Sequence, residues 1–139
     1  VIADIGCGSG ILAIASLLLG AQKAYAVDTS ELAVTATQRN AELNGIKPDQ
    51  LIVRQGSWEQ VLELVDGVVC NILAPVIIEI LPHLPAIIKP KGWGIFSGIL
   101  LDQADGVAEQ LEQQGWSLGS VWRRHEWCCL NARFERLPN

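Results

Sequence analysis

Asp4, Gly6, Gly8 and Gly10 form the pattern D-x-G-x-G-x-G within Asp4-Ile-Gly-Cys-Gly-Ser-Gly-Ile11. These residue types at this spacing suit one task, bringing main chain close to a ligand. Glycine reaches φ > 0 and leaves no Cβ between backbone and guest. Val1–Ile5 before the loop and Ile11–Leu19 after it are apolar, so the stretch reads as strand, tight turn, helix. The helix would present unpaired N–H groups at its N-terminus, and a nucleotide-like ligand fits against such a loop. Cys7 lies inside it, where its backbone counts for more than its sulfur.

Spacing narrows the ligand. A dinucleotide fingerprint needs G-x-G-x-x-G, with a third glycine where this chain has Ile11. No G-K-[ST] follows, so there is no P-loop. A second anchor is Asp28, ending Lys23-Ala-Tyr-Ala-Val27. An acid about 20 residues beyond the loop, at the tip of the second strand, accepts hydrogen bonds from ribose hydroxyls. Thr29 follows it directly. Strand, glycine loop, helix, strand and acid in this order resemble the S-adenosylmethionine site of class I methyltransferases. The bland reading of the glycines alone is a structural turn.

Two further strand ends join this set. Gln55-Gly-Ser-Trp58 follows the third strand, Leu51–Arg54. In open α/β sheets the C-terminal strand ends face the ligand crevice. Many class I methyltransferases bind the adenine amino group with an acid here; this chain offers Ser57. Ser57 either hydrogen-bonds adenine, with Trp58 flanking it, or caps a helix with Trp58 in the core. Asn71 ends the fourth strand, Asp66–Ile72, and its amide either contacts ligand or serves a turn.

These residues need a frame to hold them. Helices are expected over Ser9–Leu19, after Thr29 or Ser30 as cap, over Val76–Ile88 with breaks at Pro82 and Pro85, and before Gly115. The first is apolar nearly all round and should be covered on both sides. Leu32, Ala33, Ala36 and Leu43 suggest a sheet-facing stripe on the second, and Leu101, Ala104, Val107, Ala108 and Leu111 one on the last. Lys89-Pro-Lys-Gly92 reads as a turn before a fifth strand, Trp93–Ser97. Trp116–Arg123 and Glu126–Phe134, joined at Arg124-His125, read as a closing hairpin. The sum is an α/β chain, a Rossmann-like, doubly wound, mostly parallel seven-stranded sheet with a C-terminal antiparallel hairpin.

The chain has 139 residues, 50% hydrophobic and 18% charged, which fits a single domain spanning 1–139. No apolar run reaches the length of a membrane span, so no membrane association is expected. Net charge is −5, which argues against direct nucleic-acid binding. Arg123, Arg124, Arg133 and Arg136 form the densest basic spot and read as a solvated strand edge. The four cysteines, Cys7, Cys70, Cys128 and Cys129, lack metal-ligand spacing, so no metal is expected. Reduced, buried thiols suit a cytoplasmic protein. His83 and His125 read as exposed or turn residues rather than catalytic bases. The chain opens inside its first strand, which reads as a fragment of a longer protein, with part of the first helix's cover expected from residues before Val1.

Across nearly the whole length the motifs resemble the PrmA-type ribosomal protein methyltransferases. The matching pieces are Asp4–Ile14, Leu18-Leu-Gly-Ala21, Ala26-Val-Asp28, Asn40-Ala-Glu-Leu-Asn-Gly45, Cys70-Asn-Ile-Leu-Ala74, Ser97-Gly-Ile-Leu100, Gln103-Ala-Asp105 and Glu126-Trp127. The resemblance implies S-adenosyl-L-methionine as cofactor, contacted by Gly6, Asp28 and Asn71. It implies methylation of lysine and N-terminal amines of large-subunit ribosomal protein eleven. It also implies a substrate-recognition domain and a cofactor-site segment upstream of this chain. The candidate cofactor contacts are Asp4, Gly6, Cys7, Gly8, Gly10, Asp28, Thr29, Ser57 and Asn71, with Asn71 also the candidate catalytic residue, orienting the amine's lone pair. The other readings are a related methyltransferase for another protein or a small molecule, a cofactor-binding module without turnover, and, last, a nicotinamide oxidoreductase.

Overall fold

The structure, a computed structural model, describes residues 1–135. Strand β1 (Ile2–Ile5) is wholly buried and pairs in parallel on both sides, with β2 (Ala24–Asp28) and β4 (Val65–Asn71). Ile2, Ala3 and Ile5 are apolar, as a strand covered on both faces requires, and Asp4 is buried among them. Beyond β2 lies β3 (Leu51–Gln55), the sheet's edge. On the other side β4 pairs with β5 (Ile88–Leu100), which turns antiparallel to β7 (Trp127–Phe134) and so to β6 (Trp116–Arg124). The order is β3-β2-β1-β4-β5-β7-β6. The chain leaves β1 in one direction through β2 and returns on the other side through β4. The ends of β1, β2 and β4 therefore border the switch point where such sheets take ligands.

Helices α1 (Ile11–Leu18) and α2 (Glu31–Leu43) link β1 to β2 and β2 to β3. With β1, β2, Leu51 of β3 and Val69 of β4 they enclose one cluster around Ala13, Ile14, Leu17, Ala24 and Ala26. Helices α3 (Ala74–Ile80) and α4 (Ala104–Gln113) belong to the larger core, which holds Val68, Ile77, Leu84, Phe96 and Leu111. Trp116 anchors that core between the rings of Phe96 and Phe134.

Several expectations change in detail. Helix α1 starts at Ile11 rather than Ser9, because Gly10 sits in the left-handed region at φ 83°. Only one of its faces is covered: Ile11 is 68% and Leu19 88% exposed. The α2 stripe is different from the one its apolar residues suggest. Leu32 and Leu43 are 83% and 74% exposed, and Thr37 and Ala41 are buried instead. Small residues on that face let α2 approach the glycine loop closely. Pro82 ends α3, and Leu81–Ala86 continues as a 3-10 turn. Residues 89–92 do not precede β5 but interrupt it. Lys91 takes φ 65°, and the pairing shifts register between Val65↔Ile88 and Gly67↔Trp93. Among the described residues no helix is long and apolar enough to cross a membrane.

Candidate functional site

The glycine loop is held from three directions. From β2, the Val27 carbonyl accepts from Gly6 N at 2.8 Å and Cys7 N at 3.0 Å. From below, Asp4 is 1% exposed and its Oδ2 accepts from Ala13 N at 3.1 Å. From α2, Thr37 Oγ1 donates to the Gly8 carbonyl at 3.0 Å, and Asn40 Nδ2 donates to the Ser9 carbonyl at 2.8 Å. Two glycines are sterically obligatory here. A Cβ on Gly6, at φ 76°, would overlap Ile72 Cγ2, and one on Gly10 would come within 2.6 Å of Thr37 Cγ2. Gly8 faces open space, where a Cβ would protrude into whatever the loop receives.

Asp28 sits at the tip of β2 with its carboxylate already aimed. Its Oδ2 accepts from Gly8 N and its Oδ1 from Ser30 N, each at 2.9 Å. Ser30 caps α2 by accepting from Ala33 N. An ionised carboxylate offers about four acceptor positions, so two amides leave capacity for ligand hydroxyls.

A cleft of about 230 Å³ opens at these strand ends, lined by Ile5, Gly6, Asp28, Thr29, Gly56, Ser57, Ile72, Val76 and Ile80. One side is polar, and the other is apolar through α3. That division suits a nucleoside, which has a flat apolar base and a hydroxylated sugar. Ser57 lines the cleft, and its hydroxyl caps nothing. Trp58 packs partly into the core and stacks on His83. A larger hollow of about 590 Å³ lies on the sheet face beside Trp93, Ser117 and Asn131. It gathers none of the β1, β2 or β4 strand ends, so the smaller cleft is the better candidate.

Asn71 is exposed at the tip of β4, paired with Ser97 of β5. It does not line the cleft itself, but its neighbour Ile72 does. Asp28 and Asn71 flank β1 on the same edge of the sheet, two strand spacings or about 10 Å apart. Of the other sequence candidates, Gly6, Thr29 and Ser57 line the cleft, and Gly8 reaches it through Asp28.

Asp4 and Cys7 turn inward. Burial, opposed by the Ala13 amide and reinforced by Asp28, pushes the Asp4 carboxyl up to about 7. Cys7 Sγ lies 3.4 Å from Thr37 Oγ1, and burial pushes its thiol up to about 11. Both side chains support the loop from behind. Thr37 and Asn40 were not among the sequence candidates. A polar pair at i and i+3 on a helix face is the available signal, masked by the stripe that Leu32 and Leu43 suggest at the helix ends. Among the described residues no three His, Cys, Asp or Glu side chains gather as a metal site would need. Arg123 and Arg124 are exposed, Arg133 donates to the Lys91 carbonyl, and Arg136 lies outside the described residues.

Residues 1–135 match the family described as "Ribosomal protein L11 methyltransferase (PrmA)". The chain belongs to this family. A ribosomal protein L11 methyltransferase of Thermosynechococcus vestitus is 93% identical over 139 residues, covering all of this chain and 46% of that protein. One from a Cyanothece species is 56% identical over 131 residues, covering 94% of this chain and 44% of that protein. The chain thus spans a little under half the length of these curated relatives. A crystal structure of ribosomal protein L11 methylase from Lactobacillus delbrueckii subsp. bulgaricus superimposes with a TM-score of 0.92 at 34% identity, covering 97% of this chain and 69% of that one.

Proposed function

We propose that the chain is the S-adenosylmethionine-binding catalytic domain of an N-methyltransferase acting on lysine and N-terminal amines of ribosomal protein L11. One observation carries the reading beyond family membership. The ends of β1, β2, β3 and β4 supply Gly6, Asp28, Ser57 and Ile72 to one cleft. The proposed contacts follow its lining. Asp28 accepts from the ribose hydroxyls, Gly6 and Gly8 give close main-chain approach, Ser57 and Thr29 meet the polar edges, and Ile72, Val76 and Ile80 cover the base.

S-adenosylmethionine supplies a methyl group activated by a sulfonium. The protein's share of the work is placement and proton handling. A free lysine amine, with a pKa of about 10.4, is protonated at neutral pH and must lose its proton before it can attack. Asn71, at the exposed tip of β4, accepts an N–H of the incoming amine and orients its lone pair. A ribosomal-protein substrate places the reaction in the cytoplasm.

The experiment is methyl transfer from radiolabelled S-adenosylmethionine to purified ribosomal protein L11 by the full-length protein containing this chain. Label should appear in L11 and fall by at least tenfold with Asn71→Ala. Binding of S-adenosylmethionine without transfer would replace the enzyme with a cofactor-binding module.

A further inference from the structure

We propose that the stacked rings of Trp58 and His83 tie the two side walls of the cleft together, making His83 a positioning residue for the nucleoside ligand. The proposal rests on the reading of the cleft as a cofactor site. The cleft's base, Ile5 with Asp28, lies at the ends of β1 and β2, which the strand ladder fixes. Its side walls join the ladder only at their starts, where Gly56 N donates to the Asp28 carbonyl and Ile72 N to the Ser97 carbonyl at 3.2 Å, and both run on beyond it. One wall is Gly56-Ser57, a turn beyond the edge strand that runs into a single 3-10 turn, Trp58–Gln60. The opposite wall is Ile72, Val76 and Ile80, carried by α3 and the loop before it.

Trp58 immediately follows the first wall. His83 lies three residues beyond Ile80, in the 3-10 turn that extends α3. The two rings stack with centroids 4.5 Å apart and planes 4° from parallel. The stack therefore joins the outer end of one wall to the outer end of the other. The turn's remaining bonds include Gly56 N to the Asp28 carbonyl at 2.9 Å, which secures its start to β2. Ser57 N to Glu59 Oε1, at 2.8 Å, is internal to the turn. Neither sets the distance to α3. His83 is exposed and does not line the cleft, so its effect on a ligand must pass through Trp58 to Ser57.

The experiment measures S-adenosylmethionine affinity by calorimetry and steady-state kinetics on the full-length protein, His83→Ala and His83→Phe. Losing one stacked ring should weaken binding roughly two- to tenfold. The KM for cofactor should rise by the same factor while kcat at saturating cofactor holds. Phenylalanine restores a flat ring and should return affinity to that of the unaltered protein. Equal binding by His83→Ala and the unaltered protein would overturn the tie while leaving the cofactor reading intact. So would a His83→Phe variant as weak as His83→Ala. No binding by the unaltered protein would overturn the cofactor reading, and the tie with it.

Discussion

Asp28 and Asp4 are two carboxylates with opposite surroundings. Asp28 stands at a strand tip, holding two main-chain amides. Removing it costs the loop those bonds and, in the proposed ribose role, costs the ligand an acceptor. A hydrogen bond to a charged group contributes about 1.5–3 kcal/mol, so Asp28→Ala should weaken S-adenosylmethionine binding by about tenfold or more. Calorimetry on the full-length protein checks this, and unchanged affinity would remove the ribose role. Asp4 is sealed beneath the loop, its carboxyl raised to about 7 by burial. Its unfolded value is about 3.9, so the folded state holds the proton more tightly. That contribution is complete below about pH 3.9 and is lost as pH rises to about 7. Asp4→Asn, which needs no proton, should gain on the unaltered protein across that window, by up to about 4 kcal/mol. Urea unfolding at several pH values reads the difference; a gap constant with pH would contradict it. Both acids are legible in the sequence as part of one motif. Which of them faces the ligand is not, because the pattern gives spacing along the chain and not the direction in which a side chain packs.

At the scale of elements, the glycine loop depends on a helix it does not adjoin in sequence. Thr37 and Asn40 of α2 hold the carbonyls of Gly8 and Ser9. Thr37→Val keeps the shape but removes a buried hydroxyl that serves Gly8 and sits beside Cys7 Sγ. It should cost about 1–2 kcal/mol of stability in denaturant unfolding, and it should also weaken cofactor binding by loosening Gly8. Stability loss with unaltered binding would confine Thr37 to packing. The periodicity of α2 pointed elsewhere. Its leucines sit in solvent, and its buried face is made of Ala and Thr, because close approach to the loop selects for small side chains over apolar ones. Proline is the better guide. Pro82 marks the end of α3, since its ring fixes a torsion whatever packs around it, whereas Gly10, free to turn left-handed, starts α1 two residues later than the pattern suggests. The interruption at Lys91 was legible as a turn but not as a break inside one strand. Strand pairing on both sides of it is a long-range fact.

For the whole molecule, strand order, parallel and antiparallel pairing and the placement of the switch point all agree with the order of elements read from the chain. Right-handed crossovers leave little freedom once the strands and helices alternate. Legibility ends where cover depends on neighbours. The bare face of α1, with Ile11, Leu18 and Leu19 exposed, is apolar by sequence and uncovered among the described residues. A ligand that binds only the folded state stabilises it by about 2.7 kcal/mol at one hundred times its Kd. For a domain of this size that corresponds to a rise in Tm of about 8 °C. Scanning calorimetry with S-adenosylhomocysteine should show it, and nicotinamide dinucleotides should give no shift. A larger shift with the dinucleotide would reverse the ligand assignment.

The amides of Gly8 and Ser30 settle the Asp28 rotamer while the chain folds, before any guest arrives. Side-chain ordering normally subtracts from affinity at the moment of association. Here that freezing belongs to the folding equilibrium, and the sugar hydroxyl of the proposed cofactor would meet an acceptor with no torsion left to surrender.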